Sequence, residues 1–211
     1  PTHQEFSGPE GSSRVTVRDS QPSSGHATHV GGTIGAGGVD PNAIGMSPRV
    51  HLESWDSELD LSEATANMAG SYTEFSQPAV SNHSYGTVTG WDHRTSDGSP
   101  DEKAWHWESY PIFNQHEGFG RYQKNAQRWD SLIYRNQSYL HVRAAGNDRN
   151  DGPRNGDTVY YWNTIFGGWD SETYDEDKQP KADRDYKGGY DTIAGTAIGK
   201  NILAVGAVTD A

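Results

Sequence analysis

The sequence predicts an α/β fold built on a mainly parallel sheet flanked by helices. Short runs with strand-like alternation are separated by runs whose apolar residues recur at helical spacing. Repeated strand, helix, strand order favours such a sheet over a sandwich or a bundle. Two of the strand-like runs end in polar tips, SNHSYG and AAGN, and ligand sites in such sheets form beyond the carboxyl ends of the strands.

Taken in order, RVTVR (residues 14–18) alternates like a short strand, and HATHVGGTIGA (26–36) follows as a helix of small residues. RVHLESW (49–55) reads as a second strand after the turn at 45–48. Over residues 59–75, Leu61, Ala64, Met68 and Tyr72 fall at helical spacing and mark a crossover helix. PAVSNHSYG (78–86) returns as a strand. Residues 87–120 read as a long loop carrying Trp91, Trp105 and Trp107. Tyr122, Ala126, Trp129 and Ile133 then mark one face of an amphipathic helix. YLHVRAAGN (139–147) and NILAVGAV (201–208) are strand-like, and the acidic stretch 148–192 between them shows no clear periodicity. No internal repeat or linker interrupts the chain.

Composition narrows the function classes. A chain of 211 residues suits one domain with a real core. The hydrophobic fraction is only 32% and the mean hydropathy −0.90, so the expected loops are long and polar, as 25 Gly and 10 Pro also suggest. A formal net charge of −12 argues against nucleic acid, because phosphate binding needs clustered Lys and Arg. There is no cysteine, hence no disulfide framework or thiol chemistry. No apolar run approaches the roughly 20 residues that span a bilayer. The N-terminus lacks the charged and apolar regions of a signal peptide. The expectation is a water-soluble protein with no membrane partner.

The stretch SSGHATHVGGTIGAG (23–37) sets His26 and His29 three residues apart among small residues. His26 would open a helix beside the two polar strand tips. A metal site through the pair would need a third ligand at helical or hairpin spacing, and none is present.

Together these segments resemble the subtilisin-like serine proteases, the subtilases. His26 to Thr33 matches the family's catalytic-histidine motif, with Ala27 where Gly is commoner. Ser84, Tyr85 and Gly86 match the strand end Ser, any residue, Gly, and Ala144 to Asn147 matches the oxyanion segment. The three occur in the family's order, and NILAVGAV resembles the strand that follows. The resemblance implies a subtilisin-like three-layer fold and hydrolysis of peptide bonds through an acyl-enzyme, with a peptide or protein as substrate. His26 would be the base that takes the serine proton and returns it to the leaving amine. The Asn147 amide would donate to the tetrahedral oxyanion. Ser84, Tyr85 and Gly86 would pair with substrate as an added strand, Gly86 keeping the pocket wall open and Tyr85 lining a neighbouring subsite. Ala145 and Gly146 complete the substrate-binding set. His29 is expected to pack under its helix. Asn82 formally begins a glycosylation acceptor, Asn-His-Ser, whose place at the cleft strand makes it accidental.

Two members of the family's triad are not found. In subtilisin the order is Asp, His, Ser, with the Asp roughly 30 residues before the His, and 25 residues precede His26. Asp19 imitates the strand-end Asp but lies only seven residues ahead, and reads as a loop residue with triad acid as the alternative. The serine belongs in a Gly-Thr-Ser motif beyond the AVGAV strand; AGTAIG (194–199) has Ala there and lies before it. The expectation is therefore a partial subtilisin-like peptidase domain over residues 1–211, inactive alone, with the catalytic Asp and Ser segments outside the chain. The alternative is a non-catalytic peptide-binding domain that keeps the cleft, and a third reading takes the 7 Trp and 11 Tyr as a carbohydrate-stacking surface.

No cofactor is expected for the chemistry. Structural calcium is, because calcium stabilises many subtilases and Asp148, Asn150, Asp151 and Asp157, or the run from Glu172 to Asp177, offer hard oxygen ligands. The 87–120 and 148–192 stretches are expected to rim the subsites. The resemblance and the lack of Cys suggest a secreted or extracellular, bacterial setting. Oligomeric state is not legible.

Overall fold

The computed structural model describes residues 3–19, 21–22, 24–69, 80–95, 103–107, 115–163, 165–185, 189 and 192–207. The chain packs as two units, Pro1–Ala66 and Asn67–Ala211. In the first, strand β1 (Val15–Val17) leads into helix α1 (Gly25–Gly35), then β2 (Leu52–Ser54) and helix α2 (Asp60–Met68), which runs into the second unit's first residues. β1 and β2 pair in parallel with Val15 opposite Leu52, as expected from strand, helix, strand order.

Arg14 ties this unit together from just ahead of β1. Its guanidinium donates to the Glu5 carbonyl at 2.7 Å, the Val50 carbonyl at 2.9 Å and the Gly35 carbonyl at the end of α1 at 2.9 Å. Glu5 in turn accepts from the backbone N–H groups of Gly38, Val39 and Asp40 at 2.7, 3.1 and 2.9 Å. These bonds, Asp40's first, hold its carboxyl below the usual range. Gly45 must be glycine on steric grounds: a Cβ there would overlap the backbone of Gly32, Gly35 and Ala36.

The second unit holds a three-stranded parallel sheet in the order β3-β6-β9, from β3 (Val80–His83), β6 (Leu140–Ala144) and β9 (Leu203–Val205). Helix α3 (Lys124–Arg135) buries Ala126, Trp129, Asp130 and Ile133, the apolar stripe the sequence predicts plus one carboxylate. Trp129 meets the β6 residue His141 with ring centroids 4.2 Å apart, which places α3 on that sheet. Asp130 accepts from the Tyr122 hydroxyl at 2.6 Å and from the backbone N–H groups of Lys200 and Asn201 at 2.9 and 2.8 Å. The helix thereby anchors the approach to β9. Tyr122 precedes the helix rather than belonging to its face.

The stretches read as loops contain a second sheet, and this corrects the sequence reading. β4 (Trp91–Thr95), β5 (Lys103–Trp107), β7 (Thr158–Asn163) and β8 (Gly168–Thr173) form a four-stranded sheet in the order β4-β5-β7-β8. β5 and β7 run parallel, and the outer pairs are antiparallel. Trp91, Trp107, Val159, Tyr161 and Tyr174 form its buried core, with Trp105 packed against it. Trp91 and Trp107 sit opposite each other in register, their rings 5.1 Å apart. Asp92, Arg94 and Thr158 fall at alternate positions together with the buried His106 and the aromatic Tyr160, Trp162 and Trp169, so polar residues are interspersed along the strands and mask them in an averaged hydropathy.

The expected crossover helix is present as α2 over Asp60–Met68, and the rest of the 59–75 expectation lies largely outside the described residues. The architecture is α/β, with parallel sheets flanked by helices.

Candidate active site

The parallel pairing of β3 with β6 places two of the singled-out segments side by side. His83 stands opposite Arg143 in register, so Ser84, Tyr85 and Gly86 leave the sheet at the same carboxyl edge as Ala145, Gly146 and Asn147. β9 holds the second segment in place, the Ala145 N–H donating to the Val205 carbonyl at 2.9 Å. Gly146 then takes φ +107, a left-handed turn open to glycine and strained for other residues.

Asn147 stands at the cap position of the short turn Asp148–Asn150, yet its side chain makes no capping bond. The common structural role of such an Asn is therefore unfilled. Asn147 is exposed at the sheet edge, with an amide able to donate to a ligand. Ser84 accepts from the Asn82 amide at 2.9 Å. At Gly86 an added Cβ would meet nothing within 4 Å.

Sequence reasoning gave Asp148 only a place among calcium ligands. It is buried, and its carboxyl is pushed up to about 6 by that burial and then by Asp151, while the Thr89 backbone N–H pulls the other way. The Thr89 bond links the Asn147 segment to the chain just beyond Gly86. Asp183 is 3% exposed and its carboxyl is pushed up to about 8, chiefly by burial. A cavity of about 460 Å³ opens beside Thr87, Val88 and Thr89, with Asp92, Arg94 and His116 among its lining. Strand β4 supplies Asp92 and Arg94, so part of the expected rim is a strand.

His26 belongs to the first unit, as the second residue of α1. The Ser24 hydroxyl caps the helix by accepting from the Ala27 N–H at 3.0 Å, which fixes where the helix begins. His26 is exposed between Gly25 and Ala27, two neighbours of little bulk. His29 is also exposed, against the expectation that it packs under the helix. On α1 the inward positions fall to later residues such as Gly31 and Gly35, which face Leu52.

Asp19 follows β1 and accepts from the Gln21 N–H at 3.3 Å and from the Asp56 N–H. Its carboxylate, with those of Asp56 and Glu63, forms a set of oxygens within 4.8 Å of one another. Among the described residues three carboxylates gather only here, not in the acidic runs around Asp148 or Glu172. Burial, then Asp56 and Asp19, raise the Glu63 carboxyl, whose Oε2 is buried without a hydrogen-bond partner among the described residues. Hard oxygen donors at this spacing suit a divalent cation such as calcium. Asp56 and Glu63 escaped the sequence reading because they come from separate elements.

The model of the subtilase family of peptidases (Peptidase S8) matches residues 2–211. The chain belongs to the subtilase family, a family of serine endopeptidases. No curated protein and no solved structure matched it.

Proposed function

We propose that the chain is the central part of a secreted bacterial subtilase that hydrolyses peptide bonds through an acyl-enzyme intermediate. The observation that carries this is the shared edge of β3 and β6, where Ser84, Tyr85 and Gly86 run beside Ala145, Gly146 and an uncapped Asn147. An extended peptide would add as a strand along 84–86, with Tyr85 lining a subsite and Ala145 and Gly146 flanking the scissile carbonyl. The Asn147 amide would donate to its oxygen as negative charge develops. His26 would act as general base and then acid, and Gly25 and Ala27 would let the peptide approach.

The nucleophilic serine is assigned to a segment outside the 211 residues, and so is the triad acid in the first reading. A second reading of the acid rests on Asp19, which leaves the carboxyl end of β1 just ahead of α1 in the unit that holds His26.

The test compares the isolated chain, the full-length protein that carries it, and full-length His26→Ala and Asp19→Asn variants. All are assayed on one unstructured peptide and with a serine-directed acylating inhibitor. Labelling and turnover are expected in the full-length protein alone, and loss with His26→Ala. Losing one triad member costs orders of magnitude in kcat, so a comparable loss with Asp19→Asn that the calcium-ligand variant Asp56→Asn does not share assigns the acid to Asp19. Inhibitor-sensitive turnover by the isolated chain would place the nucleophile within these residues and overturn the partial-domain reading. Peptide binding without labelling of the full-length protein would favour the non-catalytic alternative.

Where the triad acid lies outside these residues, a structural calcium ion belongs to the same proposal, with Asp19, Asp56 and Glu63 as ligands. Chelation should then lower the unfolding temperature, and calcium should restore it. Asp56→Asn should abolish the difference, and equal unfolding temperatures with and without calcium would contradict the assignment.

A further inference from the structure

Below the proposed substrate strand lies a buried polar relay that the peptidase chemistry does not use. Side chains alternate along β3, so Ser81, His83 and Tyr85 share the face opposite to Asn82 and Ser84. The Tyr85 hydroxyl lies 2.6 Å from His83 Nδ1, and His83 Nε2 lies 2.8 Å from Ser81 Oγ. Ser81 Oγ is 2.5 Å from the Tyr139 hydroxyl. A neutral imidazole fits this chain, since one ring nitrogen accepts while the other donates and each hydroxyl can do both.

The histidine in the middle is clamped. Its ring stacks on His141 with centroids 4.0 Å apart and an interplanar angle of 21°, and the Trp129 ring meets its edge at 5.2 Å. His141 is fully buried, and neither ring nitrogen has a hydrogen-bond partner among the described residues. Burial, then His83 and Arg143, push it down to about 3, so it serves as a neutral plate. The Arg143 guanidinium stands 5.0 Å over the Tyr85 ring. Tyr85 is thus held at its hydroxyl and covered at its ring, while Gly86 beside it opens on free space.

We propose that His83 is a positioning residue for substrate selectivity, fixing through the Tyr85 hydroxyl the ring that lines the subsite beside residues 84–86. This rests on the peptidase reading. A wall held at its far end keeps one shape against different substrate side chains. The same ring without that bond would turn and adapt, and the subsite would discriminate less.

The experiment uses the full-length protein, with Tyr85→Phe, His83→Phe and the double variant. The first readout is the ratio of kcat/KM for peptide pairs that differ only by a large or a small residue at one position. The second is the ¹⁵N shift of the His83 ring nitrogens. Tyr85→Phe keeps the ring and should move the Nδ1 signal. It should also reduce the discrimination ratio about twofold to tenfold, the worth of one hydrogen bond. The double variant should discriminate no worse than either single one, because both remove the same bond. An unchanged ratio in Tyr85→Phe overturns the proposal whether or not the Nδ1 signal moves, and so do additive losses. A wild type that cleaves no peptide overturns the peptidase reading itself, and that result is read from the wild type alone.

Discussion

An added side chain at Gly86 would fill open space rather than strike the protein. Gly86→Val should therefore leave the unfolding temperature nearly unchanged, within the ±0.5 kcal/mol of ordinary surface changes. It should raise KM for extended peptides at least tenfold, because the valine occupies space the substrate backbone needs. Thermal unfolding and a peptide titration check the two halves, and unaltered KM would show that peptides bind elsewhere. His26, Asn147 and the 84–86 segment could be proposed from the sequence because each sits in a contiguous motif. The Asp19, Asp56 and Glu63 set could not, since its carboxylates meet only after two strands and a helix have formed. Nor could the His83 relay, whose bonds depend on which face of β3 each residue takes and on Tyr139, which lies 58 positions from Ser81.

At the scale of elements, β1, α1, β2, β3, α3, β6 and β9 follow from periodicity, because each alternates or repeats an apolar residue at its own spacing. The four-stranded sheet was missed for a physical reason. Its core positions are Trp91, Trp107, Val159 and Tyr161, but polar and charged residues are interspersed among them, so the mean polarity of WDHRT or TVYYWN resembles a loop. The aromatic and β-branched enrichment was the available signal. Trp107 is fully buried in that sheet, so Trp107→Ala should destabilise the second unit by about 3–5 kcal/mol, read as a lower denaturant midpoint in tryptophan fluorescence.

Asp183 makes the same sheet sensitive to pH. Its carboxylate accepts from the Trp91 N–H of β4 at 3.1 Å, and burial pushes its folded-state pKa up to about 8, far above the 3.8 of an ordinary aspartate. The folded state thus binds a proton that the unfolded chain releases, so this contribution is complete below about pH 4 and is lost as pH rises through 8. His141 acts in the opposite sense. Depressed to about 3 from 6.5, it contributes stability above about pH 6.5 that is lost as pH falls toward 3. The denaturant midpoint should therefore decline on both limbs. Asp183→Asn, which keeps an acceptor for Trp91, should flatten the alkaline one, and an unaltered alkaline limb would contradict this assignment.

For the whole molecule, the family was readable because three short motifs keep their order over most of the chain, and the family match over residues 2–211 agrees. The most direct measurement of the account is kcat of the full-length protein with Asn147→Ala. Removing one oxyanion donor should cost about 2.7–4 kcal/mol of transition-state stabilisation, a fall in kcat of about 10²- to 10³-fold with KM little changed. A kcat within about twofold of the wild type would show that Asn147 does not face the developing charge.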